Sequence, residues 1–353
     1  MAIGCYITCL RDRLAPDSEG IRNAQIRLIY VLELYGTIQN SPSSLIKLQA
    51  IIARICDESR VWDKITAAVC CARELRLVHA APGKHLFFSK DKQYLAQRSV
   101  WFLYSLETEY AVHFGIFPML DHECCSWHPL YGEGYDICSI MYSYSEFLHR
   151  VFRYQYNPRA LKRSVSAHDR YDRLKARCHE LEEWLDSLPA PLNKAHDPIF
   201  LETLKHNNQQ LRSAFRVFCM YHRAVFFIHC PWITTTAFMD DNSGVAEKIR
   251  EPCVKRCIES AGSVIKLANS ELFWEEELGR DLRSSDTRWG EMGQVLLVSL
   301  CFIVHHLLDN DNENRKAVMP YLAIFGGLLG RLSLNGEASL TDYLELVRLV
   351  SPS

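Results

Sequence analysis

The sequence has almost no net charge and no long uninterrupted apolar run. Its 40 lysine and arginine residues stand against 42 aspartate and glutamate residues, which gives a formal net charge of −2. Without a basic excess, the chain as a whole is poorly suited to bind the phosphates of nucleic acid. The longest apolar run, 295–304, ends before His305, whereas a membrane span needs roughly 18 residues. We therefore expect neither bulk nucleic-acid binding nor a membrane segment.

The N-terminal residues also lack the features of a secretory signal peptide. They read MAIGCYITCLRDR, with no basic opening segment and only a short apolar stretch. The 14 cysteines are therefore expected to be reduced thiols of an intracellular protein. Most of them should pack as small apolar groups and not as disulfides.

What the sequence does contain is apolar residues at helical spacing, with alternating strand patterns nearly absent. Hydrophobic residues make up 48% of the chain, enough for a large core. Ser43 or Ser44 is expected to cap a helix, and 115–136 is predicted to be a loop. The predicted helices cover 21–34, 45–55, 61–77, 92–114, 174–185, 199–229, 254–268, 293–308 and 317–332.

About ten helices without a fixed repeat period predict an all-α fold, a single irregular array. We expect an N-terminal segment over 1–20, the helical domain over 21–333 and a C-terminal tail over 334–353. The basic stretch over 149–163 is interpreted as a solvated connector, although a targeting or nucleic-acid patch is an alternative.

One cluster has the residue types of a metal site, namely His122, Glu123, Cys124, Cys125 and His128. Zinc sites need paired ligands at defined spacing, and no matching second pair is present. Cys253 and Cys257 share a helix face but are interpreted as core thiols. The segment FGGLLGRL is not a phosphate-binding loop, and no Gly-x-Ser-x-Gly motif exists. The sequence therefore predicts no metal and no cofactor, and it identifies no catalytic residue.

The segment CMYHRAVFFIHCPWI places Tyr221, His222, Arg223 and His229 on one long helix. An acid–base site is one interpretation, but no Asp or Glu stands at helical spacing to orient the histidines. Polar groups at the rim of a helical core are the alternative.

Aromatic side chains on the two helices that we expect to be central are candidates for a binding cavity. Such residues can enclose an apolar molecule by shape, although a packed core is their more frequent role. The candidate ligand-binding residues are Trp101, Tyr104, Tyr110, Tyr221, His222 and Trp232.

Several segments, in order along the chain, resemble the regulatory middle region of fungal zinc-cluster transcription factors. The similarity covers about residues 21–333 and includes Glu107, where that family usually has Asp. The segments are SRVWDKITAAVCCARELRLVH, QRSVWFLYSLETEY, GIFPMLDHECC, LEEWLDSLPAPL, YHRAVFFIHCPWI, CIESAGSVIKLAN and YLAIFGGLLGRLS. The resemblance implies a nuclear regulator, and it makes the run from Asp121 to Cys124 a connecting loop.

The chain departs from this family at two places. The family's DNA-binding module requires six cysteines beginning Cys-x2-Cys-x6-Cys, whereas this N-terminus has only Cys5 and Cys9. Two Arg-Pro motifs are replaced by Ile116-Phe117 and Cys230-Pro231. We therefore expect no direct sequence-specific DNA binding from this chain alone.

The leading hypothesis is a transcription-factor-like protein without its own zinc cluster. It would bind a small apolar molecule or a partner protein and could form a homo- or heterodimer. It would regulate a metabolic gene set, with secondary metabolism as one option. The alternative is a helical scaffold recruited as a cyclase- or isomerase-type enzyme, or as a binding protein, for an apolar metabolite in the cytoplasm. A third hypothesis is a truncated product that heterodimerises with a full-length relative.

Overall fold

The computed structural model describes residues 42–55, 61–78, 89–121, 137–156, 167–234 and 245–270, together with single residues and short runs between 295 and 324. Within these ranges the secondary structure is helical and contains no strand, which confirms the all-α prediction. The helices are α1 Leu45–Ile55, α2 Val61–Glu74, α3 Lys90–Phe114, α4 Ile137–Gln155, α5 Ala167–Asp186, α6 Pro198–Thr203, α7 Asn208–Thr234 and α8 Val245–Asn269. A 3-10 turn spans Leu192–Lys194.

The helices form two compact units that divide between Phe152 and Arg153, here called unit 1 and unit 2. The domain boundaries predicted at residues 20 and 333 lie outside the described residues. None of the helices in the described ranges is long and apolar enough to cross a bilayer.

Unit 1 packs α1, α2 and α3 around one apolar core. Helix α1 begins as predicted, because the Ser44 hydroxyl accepts a hydrogen bond from the Lys47 amide at 3.1 Å. The predicted stripes of α1 and α2 are buried, and of the adjacent thiols Cys71 is buried while Cys70 is exposed. The buried stripes include Leu48, Ile51, Ile52, Ile65, Ala68, Val69 and Ala72.

Helix α3 has a cap at each end and is central in unit 1. The Ser89 hydroxyl accepts from the Lys92 amide, and Gly115 ends the helix with a φ of 65°. This left-handed conformation favours glycine, and it lets the Ile116 amide donate to the Ala111 carbonyl at 2.9 Å. The central position predicted for this segment is confirmed by Val100, Leu103 and Tyr104, which are fully buried.

Helix α4 was not predicted, and part of the basic connector proposed for 149–163 belongs to it. The helix runs to Gln155, so Arg150 and Arg153 lie on its last turns and not in a connector. Its buried stripe was missed because tyrosine and serine interrupt the apolar pattern. Their burial in the helix shows that the stripe is nevertheless continuous, through Ile140, Tyr144, Phe147, Leu148 and Val151.

Unit 2 contains α5 and the pair α7 and α8, which pack against each other. Helix α5 ends at Asp186, before the Pro-containing segment, as predicted. The single helix predicted over 199–229 is in fact two, because Asp197 caps α6 and the Asn207 side chain accepts from the Gln210 amide to begin a new helix. Pro231 does not end α7, which continues to Thr234.

A close approach inside unit 2 occurs at Gly262 of α8. A Cβ atom at this position would lie 2.5 Å from the ring of Tyr321, too close for any real contact. We expect Gly262→Ala to lower the free energy of unfolding by about 1 to 3 kcal/mol, measured by denaturant unfolding. The matched control, Ser263→Ala on the same helix, should change it by less than about 0.5 kcal/mol.

Alanine is favoured over glycine in a helix by about 1 kcal/mol. Without the close approach of Tyr321, Gly262→Ala would therefore be expected to stabilise the protein. In the Tyr321→Ala background, where the ring is absent, Gly262→Ala should therefore no longer lower the free energy of unfolding. A Gly262→Ala protein more stable than the wild type would contradict this cost and would mean that the Tyr321 ring moves aside.

Candidate functional site

The predicted ligand residues of unit 1 lie in an aromatic cluster. Trp101 and Tyr104 are 2% and 0% exposed, and their ring centroids lie 5.8 and 5.3 Å from that of Tyr142. Tyr110 instead stacks on Trp62 at 5.4 Å, with the two rings inclined by 16°. These contacts are those of a packed aromatic core, and ligand binding by the three residues remains a prediction.

Glu107 is the buried carboxylate of unit 1, and it holds the chain that follows α3. Its Oε1 atom accepts a hydrogen bond from the backbone amide of Met119, and its Oε2 atom is buried without a hydrogen-bond partner. Arg73 of α2 donates to the Met119 carbonyl at 2.5 Å. Burial raises the pKa of Glu107 to about 7, although the Met119 and Leu120 amides and the Arg73 charge act in the opposite direction. Glu107 therefore titrates near neutral pH.

In unit 2, three helices contribute side chains to one polar cluster, here called the Tyr221 cluster: Glu182 of α5, Tyr221 of α7 and Arg256 of α8. The Tyr221 hydroxyl and the Arg256 guanidinium both donate to Glu182 Oε1 at 2.8 Å. Arg256 also donates to the Tyr221 oxygen at 2.5 Å. Burial raises the pKa of Tyr221, so this hydroxyl remains a donor. Helix α5 thus brings a carboxylate to Tyr221, whereas the partners of His222 are Ser260 and His196, and that of His229 is Cys178.

His222, the next residue on α7, is buried with both ring nitrogens in hydrogen bonds. Nε2 lies 3.1 Å from the carbonyl of His196, which can only accept, so Nε2 carries the proton. Nδ1 therefore accepts from the Ser260 hydroxyl at 2.8 Å. Burial lowers the pKa of His222 to about 3. As placed here, the imidazole is neutral and has no nitrogen available to a substrate.

Thiols line the interior of unit 2 beside His229. The sulfur of Cys178 lies 3.6 Å from His229 Nε2. Burial raises the pKa of Cys178 to about 11 and lowers that of His229 to about 4. The pair is therefore a neutral thiol and a neutral imidazole, without the thiolate that a nucleophilic cysteine needs. Burial likewise raises the pKa of Cys253 and Cys257, in line with their predicted role as core thiols.

No three His, Cys, Asp or Glu side chains in the described ranges are arranged to hold a metal ion. The cluster from His122 to His128 falls outside those ranges.

Pro231 lies within α7, where its missing N–H leaves the carbonyl four residues earlier without its helical donor. That carbonyl belongs to Phe227, and the Tyr156 hydroxyl donates to it at 2.8 Å. Gln155 donates to the next carbonyl, that of Ile228, at 2.6 Å. The end of α4 therefore replaces the hydrogen bonding that the proline disturbs, and it is held beside the last turn of α7.

We expect Tyr156→Phe to lower the free energy of unfolding by about 1 to 2 kcal/mol, because it removes the donor to Phe227 but keeps the stacked ring. Pro231→Ala restores a backbone N–H at that position. In the Pro231→Ala background, Tyr156→Phe should therefore cost less than half as much, measured by denaturant unfolding of all four proteins in the cycle. Equal costs in both backgrounds would contradict this role.

A small open pocket lies where α4 and α7 end beside α5, here called the arginine pocket. Trp232, one of the predicted ligand residues, lines it, whereas Trp101, Tyr104 and Tyr110 belong to unit 1. Sequence analysis missed its arginines, although they recur at helical spacing on one face of α5. The lining residues are Tyr154, Gln155, Arg170, Arg173, Leu174, Arg177 and Trp232.

Comparison with known proteins gives three relatives. The chain is 29% identical over 276 residues to the terrein cluster-specific transcription factor of Aspergillus terreus, an alignment that covers 76% of this chain and 41% of that protein. It is 26% identical over 385 aligned positions to the fumonisin cluster-specific transcription factor of Gibberella moniliformis, which covers 99% of this chain and 55% of that protein. It is 27% identical over half its length to the activator of stress genes protein 1 of Candida albicans, of which it covers 18%.

The chain spans about half the length, or less, of the relatives that it matches. Neither a protein-family model nor a solved structure matches it. Similarity to three fungal proteins, two of them cluster-specific transcription factors, confirms the resemblance to fungal transcription factors that the sequence motifs indicated.

Proposed function

We propose that this chain is the regulatory region of a fungal transcriptional regulator that controls a set of metabolic genes. The observation that carries the proposal is the similarity to a cluster-specific transcription factor over 76% of the chain. The chain responds to a small molecule or a partner protein and acts in the nucleus. It does not read a DNA sequence by itself, in keeping with a formal net charge of −2.

The geometry of unit 2 supports this proposal. Three of the segments that resemble the fungal regulatory region, 181–192, 221–233 and 257–269, lie on helices α5, α7 and α8 or directly after them. The Tyr221 cluster joins these same helices, with Glu182 and Tyr221 inside two of the segments. Residues within the resembling segments therefore help to hold the helices of unit 2 together.

The state of the polar groups argues against acid–base chemistry at the Tyr221 cluster and its neighbours. Tyr221 is held protonated by burial, and His222 is neutral with both nitrogens engaged. Neither group is placed to exchange a proton with a substrate near neutral pH. Polar groups of this kind stabilise one arrangement of helices.

The proposal is tested by deletion of the gene and measurement of transcripts and metabolites in the source organism. We expect a coordinated change, of several-fold or more, in the transcripts of one set of metabolic genes. Re-expression of the wild-type gene should restore them. Unchanged transcripts, together with accumulation of one pathway intermediate, would overturn the proposal and favour a metabolic enzyme.

A further inference from the structure

We infer that the arginine pocket binds the carboxylate of an organic acid whose apolar body lies against Trp232 and Tyr154. This inference names the ligand class for the regulator proposed above, and it rests on that proposal for its biological role. Binding itself is measured on the purified chain, so a failure of the inference is distinguishable from a failure of the proposed function.

The charge of the pocket comes from one face of α5. Arg170, Arg173 and Arg177 are spaced by three and four residues, so their side chains project from the same side of the helix. Three guanidinium groups at this spacing favour an anion, and the planar fork of arginine matches the two oxygens of a carboxylate.

Arg177 and Arg173 differ in the interactions that their guanidinium groups already make within the protein. Arg177 is paired with Glu180 at 2.7 Å, and its guanidinium lies 5.1 Å from the centre of the Tyr154 ring. Arg173 is exposed and makes no hydrogen bond or ion pair with another described residue. Arg177 is therefore a fixed wall of the pocket, and Arg173 is the cation that is available to an incoming anion.

Apart from Gln155, the remaining walls are apolar or aromatic, and they define the rest of the ligand. Leu174 and Trp232 are buried, whereas Tyr154 is half exposed at the open side. The cavity volume is about 30 Å³, room for roughly two water-sized groups. A carboxylate fits this space, and an attached apolar body has to extend along Tyr154 toward solvent.

The position of the pocket connects it to the helical framework. Gln155 lines the pocket and also donates to the Ile228 carbonyl, one of the two carbonyls beside Pro231. A ligand in the pocket therefore contacts the ends of α4 and α7 and the face of α5 together. Occupation would favour the state of unit 2 in which Tyr154 and Gln155 lie against α5 and the end of α7.

The probe for this inference is benzoate, with benzamide as the uncharged molecule of the same shape and inorganic phosphate as an anion without an apolar body. Binding is measured by ligand-observed NMR at constant ionic strength, up to about 10 mM, a range that detects millimolar affinity. We expect benzoate to bind, and benzamide and phosphate each to bind at least about tenfold more weakly.

Arg173→Met should weaken benzoate binding at least about fivefold, because a charge-assisted hydrogen bond is lost. The matched control is Lys175→Met, an exposed cation on α5 that does not line the pocket, and it should leave the affinity within about twofold. Equal binding of benzoate and benzamide, phosphate affinity equal to that of benzoate, an unchanged affinity in Arg173→Met, or no benzoate binding would each overturn the inference.

Discussion

A change from pH 5 to pH 8 is expected to remove roughly 2 to 3 kcal/mol of stability from unit 1 through Glu107 alone. Burial raises the pKa of this carboxyl from its ordinary value of 4.5 to about 7. Between these two values the folded chain holds a proton that the unfolded chain has already released. Stability from this group is complete below pH 4.5 and is lost as the pH rises through about 7.

The measurement is denaturant unfolding of the wild type and of Glu107→Gln at pH 5 and pH 8. Glutamine does not titrate, and its amide oxygen can still accept from the Met119 amide, although its NH2 group replaces an oxygen that has no hydrogen-bond partner. The quantity to compare is therefore the pH dependence of each protein and not its absolute stability. We expect the wild type to lose roughly 2 to 3 kcal/mol more than Glu107→Gln between the two pH values.

Glu109→Gln is the matched control, since this carboxyl is two residues further along α3 and is only partly buried. Its pH dependence should remain that of the wild type. If Glu107→Gln and Glu109→Gln show the same dependence, the account of Glu107 as a buried acid is wrong.

Acidification should act in the opposite direction on unit 2, with a loss of about 3 kcal/mol between pH 7 and pH 4 through His222. Burial lowers the pKa of His222 from 6.5 to about 3. The unfolded chain therefore takes up a proton near pH 6.5, while the folded chain does not do so until about pH 3. Stability from His222 is complete above pH 6.5 and is lost as the pH falls, and His229, with a pKa lowered to about 4, adds to the same trend.

This expectation is checked by hydrogen exchange of α7 at pH 7 and pH 5, after correction for the intrinsic exchange rate. His222→Gln keeps a donor for the His196 carbonyl but cannot titrate, so it should reduce the acid-induced loss of protection. His179→Gln alters an exposed histidine that interacts with Glu183 on α5 at 3.2 Å, and it should leave the loss unchanged. An acid response retained in full by His222→Gln would exclude His222 as its source.

The parts of the fold that local sequence determines were predictable. Ser44 caps a helix, Gly115 ends one and the segment after Asp186 stops another, because capping, left-handed backbone and proline act within a few residues. The buried stripes of α1 and α2 follow from helical periodicity alone.

The parts that depend on distant residues were not predictable. Pro231 indicates the end of a helix when only neighbouring residues are considered, but Tyr156, 71 residues away from Phe227, supplies a hydrogen bond that lets α7 continue. The hydrogen bond between Tyr221 and Glu182 of α5, 39 residues apart, was likewise not visible in the sequence. Such pairings cannot be predicted from the spacing of residues in one sequence, because they depend on how the helices pack.

The arginine pocket illustrates an intermediate case. The spacing of Arg170, Arg173 and Arg177 is visible in the sequence, and a charged face of a helix usually indicates only solvent exposure. Here the arginines instead line a pocket, because Trp232 and Tyr154, from two other helices, form its other walls. Of the predicted ligand residues, Trp232 is thus placed beside a feature that the sequence alone could not identify.

Transcriptional regulation by this helical chain can be measured by tethering the chain to DNA. The chain would be fused to a heterologous DNA-binding module and a reporter gene measured in a fungal host. The matched control carries Tyr142→Asp, which places a charge in the buried aromatic cluster of unit 1. We expect the wild-type fusion to change reporter transcription several-fold relative to the module alone, and the Tyr142→Asp fusion to leave it unchanged. A folded, nuclear wild-type fusion that leaves the reporter at the level of the module alone would contradict transcriptional regulation by this chain.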